Sequence, residues 1–234
     1  MGPISWQDLY TKHTGLYDEM VRGEDYQGQL LAALRQIHPL AGKEIAEFGA
    51  GTGRLTTQLV AHARRVSAFD LTPAMLALAK KKLKATNQTN WILGVADSRA
   101  MPLPTASVDL AVEGWSIAQI KAWNPDTWRD SVGMAVQEML RVVRPGGVII
   151  LIETLGTGET VPHAPDQFAP LYDYFEQTWW MSRTWIRTDY LYPSQSAAQQ
   201  TIGALFGEAV VAKGWESEGG YVIPECTGIW WVGK

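Results

Sequence analysis

Two patterns of apolar and polar positions alternate along this chain. Short apolar runs that end at an acid or a glycine predict strands at 45–47, 65–70, 90–96, 108–115, 148–153 and 227–234. Between them, apolar residues recur every three or four positions. Such stretches predict a helix over 27–37, one opening at Leu55 with Leu59 and Val60, and one capped at Thr72-Pro73 with Met75, Leu76, Ala79 and Leu83 on its buried stripe. Another is expected to open at Asn124-Pro125-Asp126, bury Trp128, Val132, Ala135, Val136, Met139 and Leu140, and run to Val143, where Arg144-Pro145-Gly146-Gly147 stops it. A further helix falls near 194–206. The position of a sixth strand stays open between 210–215 and 221–224, the second being favoured. Strands alternating with helices in this way predict an α/β fold around a parallel sheet.

The stretch Glu47-Phe48-Gly49-Ala50-Gly51-Thr52-Gly53 joins the first strand to its helix. Glycines at alternate positions permit a sharp turn and leave no Cβ where a ligand approaches. The helix behind them would aim unpaired N–H groups at an anionic group. A dinucleotide fingerprint requires its third glycine where Arg54 stands, so that match fails. Asp70 ends the second strand roughly twenty residues further on, the position of a carboxylate that accepts hydrogen bonds from ribose hydroxyls. Asp97, followed by Ser98, ends the third strand, while Asp109 reads as a structural acid at the start of the fourth.

The run E-x-G-x-G-x-G, the three acids at successive strand ends and L-R-V-V-R-P-G-G resemble the class I S-adenosylmethionine (SAM) dependent methyltransferases. F-D-L-T-P-A-M-L and A-M-P-L-P-T-A-S-V-D narrow the likeness to the small-molecule group that includes quinone-ring C-methylating enzymes. The resemblance covers about residue 44 to the C-terminus and is strongest over 44–154. It implies a Rossmann-like, doubly wound sheet of seven strands, mostly parallel with an antiparallel last strand, and helices on both faces. It also implies SAM as cofactor, held by Tyr17, Glu47, Gly49, Ala50, Gly51, Asp70, Leu71, Asp97, Ser98 and Glu113. Asp97 would take the adenine amino group, the next backbone N–H would meet a ring nitrogen, and Gly53 would serve close packing of helix on strand. The implied organisation is one domain over 1–234: an N-terminal lid and first helix (1–43), a SAM-binding core (44–154), an aromatic-rich lid insertion (155–193), and a C-terminal helix with the last strands (194–234).

Composition narrows the partners. A chain of 234 residues with 46% hydrophobic content buries one substantial core. No apolar run approaches the roughly 20 residues that span a bilayer, and the N-terminus lacks the basic-then-apolar pattern of a secretory signal. One cysteine, Cys226, forms no internal disulfide, and no two of the four histidines stand at ligand spacing on one helix, so no metal is expected. A cytoplasmic protein is the default, and a homodimer stays open. A net charge of −4 disfavours nucleic acid as a partner, and Lys80, Lys81, Lys82 and Lys84 read as the solvated face of their helix. After the fourth strand stands Glu113-Gly114-Trp115-Ser116 rather than the N-P-P-[YF] or D-P-P-Y tetrapeptide of amino-methylating enzymes, which disfavours a base or amide nitrogen as acceptor.

Eleven tryptophans are many for this length, and three of them, Trp179, Trp180 and Trp185, fall with Tyr172, Tyr174 and Phe175 in one aromatic-rich segment, 172–185. Trp115, Tyr172, Phe175, Trp179 and Arg183 are the expected acceptor wall, since aromatic side chains make an apolar, shape-selective surface. His13 and His163 are the candidate bases, one on each lid. The expected function is SAM-dependent methyl transfer to oxygen or carbon of a small, aromatic or apolar acceptor. Two alternatives stand beside it: a non-catalytic protein of the same fold that binds SAM or its product, and, further off, a nicotinamide-dependent oxidoreductase.

Overall fold

In the computed structural model, which describes residues 5–234, seven strands form the main sheet in the order β3-β2-β1-β4-β5-β10-β6. These are β1 (Glu44–Phe48), β2 (Arg65–Asp70), β3 (Trp91–Val95), β4 (Val108–Gly114), β5 (Val143–Thr157), β6 (Ser182–Arg187) and β10 (Glu225–Gly233). Strands β1 to β5 pair in parallel, with Ile45 opposite Val66 on one side and Leu110 on the other. The last strand, β10, is the antiparallel member, so the anticipated doubly wound architecture is the observed one. Ile45, Ala46 and Phe48 of β1, Leu110 to Val112 of β4 and Ile149 to Ile152 of β5 are buried, as befits strands covered on both faces.

The sixth strand is neither of the two expected segments. It is β6, with the sequence S-R-T-W-I-R, whose largely exposed pattern suits the sheet edge it occupies. The segment favoured instead, Gly220–Ile223, is β9 of a separate three-stranded sheet, between β7 (Tyr190–Tyr192) and β8 (Trp215–Ser217). The helix before Arg144-Pro145-Gly146-Gly147 ends at Val142, close to the expected Val143, but the run itself lies inside β5. The register there slips between Val108 opposite Val143 and Leu110 opposite Val148, and Gly146 adopts φ +82°.

The chain divides into two compact units. One comprises 34–153, 166–184 and 229–234. Here α4 (Arg54–Leu59) follows β1, and α5 (Pro73–Ala85) buries Met75, Leu76, Ala79 and Leu83 as its stripe predicts. Each fully buried leucine of this kind contributes about 1.5–3 kcal/mol. Lys82 departs from the expected solvated face and reaches Thr52 Oγ1 at 3.3 Å. Between β4 and β5 stand two helices where one was anticipated, α6 (Ile117–Trp123) and α7 (Trp128–Val142). Helix α8 (Ala169–Gln177) buries Leu171, Tyr172 and Phe175.

The other unit comprises 5–33, 154–165 and 185–228. It contains α1 (Trp6–Thr11) and α2 (Thr14–Gly23); α3 (Gln29–Ile37) begins in it. Ser5 caps α1 by accepting from Asp8 N at 3.1 Å. Its three-stranded sheet packs with α9 (Gln195–Ala198), a π-helical turn (Gln199–Gly203), α10 (Ala204–Phe206) and α11 (Glu208–Val211) around Met20, Tyr190, Tyr192, Ile202, Tyr221 and Ile223. Among the described residues no helix is long and apolar enough to cross a membrane.

Candidate cofactor and acceptor site

The loop after β1 takes the conformation its glycines allow. Gly49, Gly51 and Gly53 have φ of +72°, +53° and +81°, a region costly for any residue with a Cβ. A Cβ on Gly53 would come within 3.0 Å of Ala79 Cβ, so this glycine admits close contact with helix α5 rather than with a strand. Asp70 holds the loop to β2. Its Oδ2 accepts from Gly51 N at 2.8 Å and its Oδ1 from Thr72 N at 2.7 Å. Burial raises the Asp70 pKa, opposed by these amide hydrogen bonds. A carboxylate has about four acceptor positions, so two amides leave capacity for ribose hydroxyls. Leu71, beside it, is 56% exposed, an unusual state for a leucine and an apolar platform next to the acid. Ala50 is buried, its N–H donating to Phe69 O.

Glu47 is buried in β1, and its Oε2 has no hydrogen-bond partner. Burial pushes its pKa up to about 8; hydrogen bonding from Thr56 and the charge of Arg54 oppose that rise, and the charge of Asp70 adds to it. An orphaned buried carboxyl oxygen is costly unless a ligand satisfies it. The amino-acid end of SAM carries an ammonium group suited to it, so the residues present fit the cofactor. Asp97 is half-buried and clasped by Arg99, whose Nη2 lies 2.6 Å from Oδ2 and whose amide donates to Oδ1. That clasp lowers the Asp97 pKa. Ser98, next to it, is half-buried.

Beyond β4, beside the expected Glu113 and Trp115, stand Ser116 and Glu153, which the sequence reading gave no role. Glu113 Oε1 accepts from the amide and hydroxyl of Ser116 and from Ile117 N, while Oε2 is buried without a partner. Burial raises its pKa to about 7. Glu153 of β5 accepts from Ala118 N at 2.9 Å, and burial together with the nearby Glu113 charge raises its pKa well above the usual value. Two buried carboxyls thus anchor the start of α6. Ser116 lies directly against Gly49. Trp115 adopts φ +58°, and the Arg54 guanidinium carbon lies over its ring, 3.6 Å from the centroid. Only the adjacency of Arg54 to the loop was visible in the sequence; nothing local marks Ser116 or Glu153.

The other expected acceptor residues separate from this group. Phe175 is fully buried and edge-on to Trp230 at 5.6 Å, and Tyr172, 3% exposed, stacks on the same indole at 4.6 Å. Both pack α8 onto β10. Trp179 is half-buried, edge-on to Tyr174 and against Gly133 of α7. Arg183 pairs with Glu176 at 3.0 Å. In the other unit, Tyr17 lies edge-on to Tyr10 at 5.3 Å and packs against that unit's core. His13 precedes α2 and His163 donates its amide to Leu155 O; both side chains are exposed. Asp109 has the structural role expected of it, accepting from Glu44 N and Arg144. Among the described residues no cluster of three or more His, Cys, Asp or Glu side chains is suited to a metal ion.

Comparison with known proteins agrees with this geometry. Residues 46–151 match the family model described as a methyltransferase domain. A malonyl-[acyl-carrier protein] O-methyltransferase from Serratia marcescens is 30% identical over 149 residues, 64% of this chain and 52% of its own length. A demethylmenaquinone methyltransferase from Clavibacter sepedonicus is 25% identical over 150 residues, 60% of this chain and 57% of its own. The chain spans about half the length of these curated relatives. The fold is similar to that of a SAM-dependent methyltransferase from Aquifex aeolicus, with a TM-score of 0.55 at 13% identity, covering 85% of this chain and 86% of that one.

Proposed function

We propose, starting from a chain that carries a class I SAM-dependent methyltransferase domain, that it moves the methyl group to oxygen or carbon of a small, aromatic or otherwise apolar acceptor. The observation that carries the reading is Glu47, a buried carboxyl at the foot of the glycine loop with one oxygen unsatisfied. Its natural complement is a cationic group such as the cofactor's ammonium. Gly49, Ala50 and Gly51 would let the backbone approach the cofactor. Asp70 would hold the ribose, Leu71 would offer the adenine an apolar face, and Asp97 with Ser98 would read its edge. Asp97 must then share with, or release, Arg99.

Bound SAM supplies a methyl group already activated by a positive sulfur. What remains for the chain is to hold two molecules in line and exclude water, and positioning of this kind contributes about 7–11 kcal/mol. Glu113 and Glu153 fix the backbone that carries Trp115 and Ser116, so the acceptor side of the site is set by buried carboxyls rather than by a mobile loop. Trp115 is our candidate for acceptor contact. Where the acceptor must lose a proton, His13 and His163 are the candidate bases, and Tyr17 stays a candidate cofactor contact on the sequence reading alone. The relatives named for O-methylation of malonyl-acyl carrier protein and for methylation of demethylmenaquinone support oxygen or carbon attack. The acidic charge balance supports a small molecule over nucleic acid, and we place the protein in the cytoplasm.

The test is transfer of label from methyl-labelled SAM to a panel of phenols, quinols and small carboxylic acids. Label appearing on an oxygen or carbon of at least one member supports the reading. Cofactor binding with no transfer to any member supports the non-catalytic binding protein instead.

A further inference from the structure

We propose that the outer face of α5, together with the starts of β1 and β2, is a docking surface for an anionic lipid bilayer, to which the chain attaches peripherally. The inference does not depend on the identity of the methyl acceptor.

Charge is spread unevenly along the chain. Residues 26–96 hold nine Lys and Arg against three Asp and Glu, whereas the other 163 residues hold 11 against 21. The three acids of the basic stretch are all engaged: Glu44 pairs with Arg144 at 2.7 Å, Glu47 is buried, and Asp70 accepts from the glycine loop. Folding then concentrates the cations. Lys80, Lys81 and Lys84 are exposed, three and four residues apart, away from the buried stripe of α5. The loop that leaves α5 ends at Asn90, whose side chain donates to Val60 O at 3.0 Å and Ala63 O at 2.8 Å. Arg64 and Arg65 in turn donate their amides to Lys43 O. The segments carrying Lys84, Arg64, Arg65 and Lys43 therefore meet where the first three strands begin, and both arginines are exposed there.

Two features favour a lipid surface over a protein or a nucleic acid. Four of these six cations are lysines, compact hydrated point charges that suit a diffuse negative surface, whereas single carboxylates and phosphates are gripped by planar arginine forks. On β3, the edge strand that follows α5, Ile92 and Val95 are 37% and 57% exposed. Aliphatic side chains gain by entering a headgroup layer and gain nothing from a hydrated polyanion. A polybasic cluster binds an anionic leaflet through the sum of its charges, acting within a Debye length. Because the whole chain carries −4, that attraction has to come from this face. Lys43 precedes β1 and the glycine loop follows it, so roughly 16 Å of strand separates the docked end from the loop.

Co-sedimentation with vesicles tests this, using phosphatidylcholine and phosphatidylglycerol in equal parts, and phosphatidylcholine alone. At about 0.05 M salt the chain should bind the first at least about tenfold more tightly than the second, and about 0.5 M salt should remove most of that difference. Lys80→Gln, Lys81→Gln and Lys84→Gln combined should weaken binding to the anionic vesicles by about tenfold or more, and Arg64→Gln with Arg65→Gln should do so to a smaller degree. Arg129→Gln, which removes a cation outside residues 26–96, should leave it within about twofold. Thermal melts verify that each variant is folded, and the arginine pair carries the comparison if the lysine variant is not. No preference for anionic vesicles, or a preference that the variants keep in full, would overturn the proposal. Tighter binding to polyglutamate or to duplex RNA than to the anionic vesicles would overturn lipid as the occupant.

Discussion

Ser116 occupies the space into which a Cβ on Gly49 would project, its Oγ and Cβ both nearer than side chains normally approach. The glycine is therefore required twice, once for its φ of +72° and once for the neighbour across the loop. Gly49→Ala should cost about 1–3 kcal/mol of stability from backbone strain alone, with the clash added, and should weaken S-adenosylhomocysteine about tenfold or more. Adding Ser116→Gly removes the clash and leaves the strain. Denaturant melts of both single variants and the double should thus show less than additive destabilisation. Additive losses would mean that the two residues do not meet.

Glu47 gives the site a proton-linked character. Its folded pKa near 8 stands above the ordinary carboxyl value of 4.5, so its contribution to stability is greatest below pH 4.5 and is lost as pH rises through about 8. The slope is at most about 1.4 kcal/mol per pH unit for one group. A bound ammonium group favours the ionised form, so binding releases the proton and S-adenosylhomocysteine affinity should rise from pH 6 to pH 8. Calorimetry in buffers of different ionisation enthalpy reads that release directly. Glu47→Gln should abolish the proton release and flatten the pH dependence of affinity; a Gln variant that still releases a proton would contradict the assignment.

A second titrating element lies in Glu113 and Glu153. Both have folded pKa values above 4.5, that of Glu113 reaching about 7, so the stability they contribute falls as pH rises from about 4.5 through 7. Replacing Glu153 by Gln removes one of two like charges that cannot easily coexist in a buried site. The variant should lose less stability than the wild type between pH 5 and pH 8 in denaturant melts. An unaltered pH profile would show that Glu153 does not carry a raised pKa in the folded state.

Phe175 tests the division between core and acceptor site. As a fully buried ring against Trp230, Phe175→Ala should cost about 3–5 kcal/mol. With the ring buried against Trp230, it should leave the relative preference among methyl acceptors unchanged. A shift in that preference with little loss of stability would place Phe175 in the acceptor wall.

The parts of this protein that were legible in its sequence are those whose cause is local. Gly49, Gly51 and Gly53 announce a turn because glycine adopts their φ values at the least cost, and Asp70 announces a strand end because the apolar run stops there. The stripe Met75, Leu76, Ala79 and Leu83 repeats with the helix period. What stayed hidden depends on partners far along the chain. Strand β6 carries no apolar run, since an edge strand with an exposed pattern needs none, and the packing of Tyr172 and Phe175 depends on Trp230, more than fifty residues away. The approach of Arg54 to Trp115 and the contact of Ser116 with Gly49 join the ends of β1 and β4, neighbours only once the sheet has formed. Gly146 inside β5 was read as a stop because a bulge and a turn use the same residues.

The central claim is tested most directly by titrating SAM, S-adenosylhomocysteine and NAD separately into the wild-type chain and into Asp70→Ala. Saturable binding of the first two to the wild type, lost or severely weakened in the folded variant, with no binding of NAD to either, is the predicted result. Saturable NAD binding, or no binding of SAM and S-adenosylhomocysteine to the wild type, would contradict it.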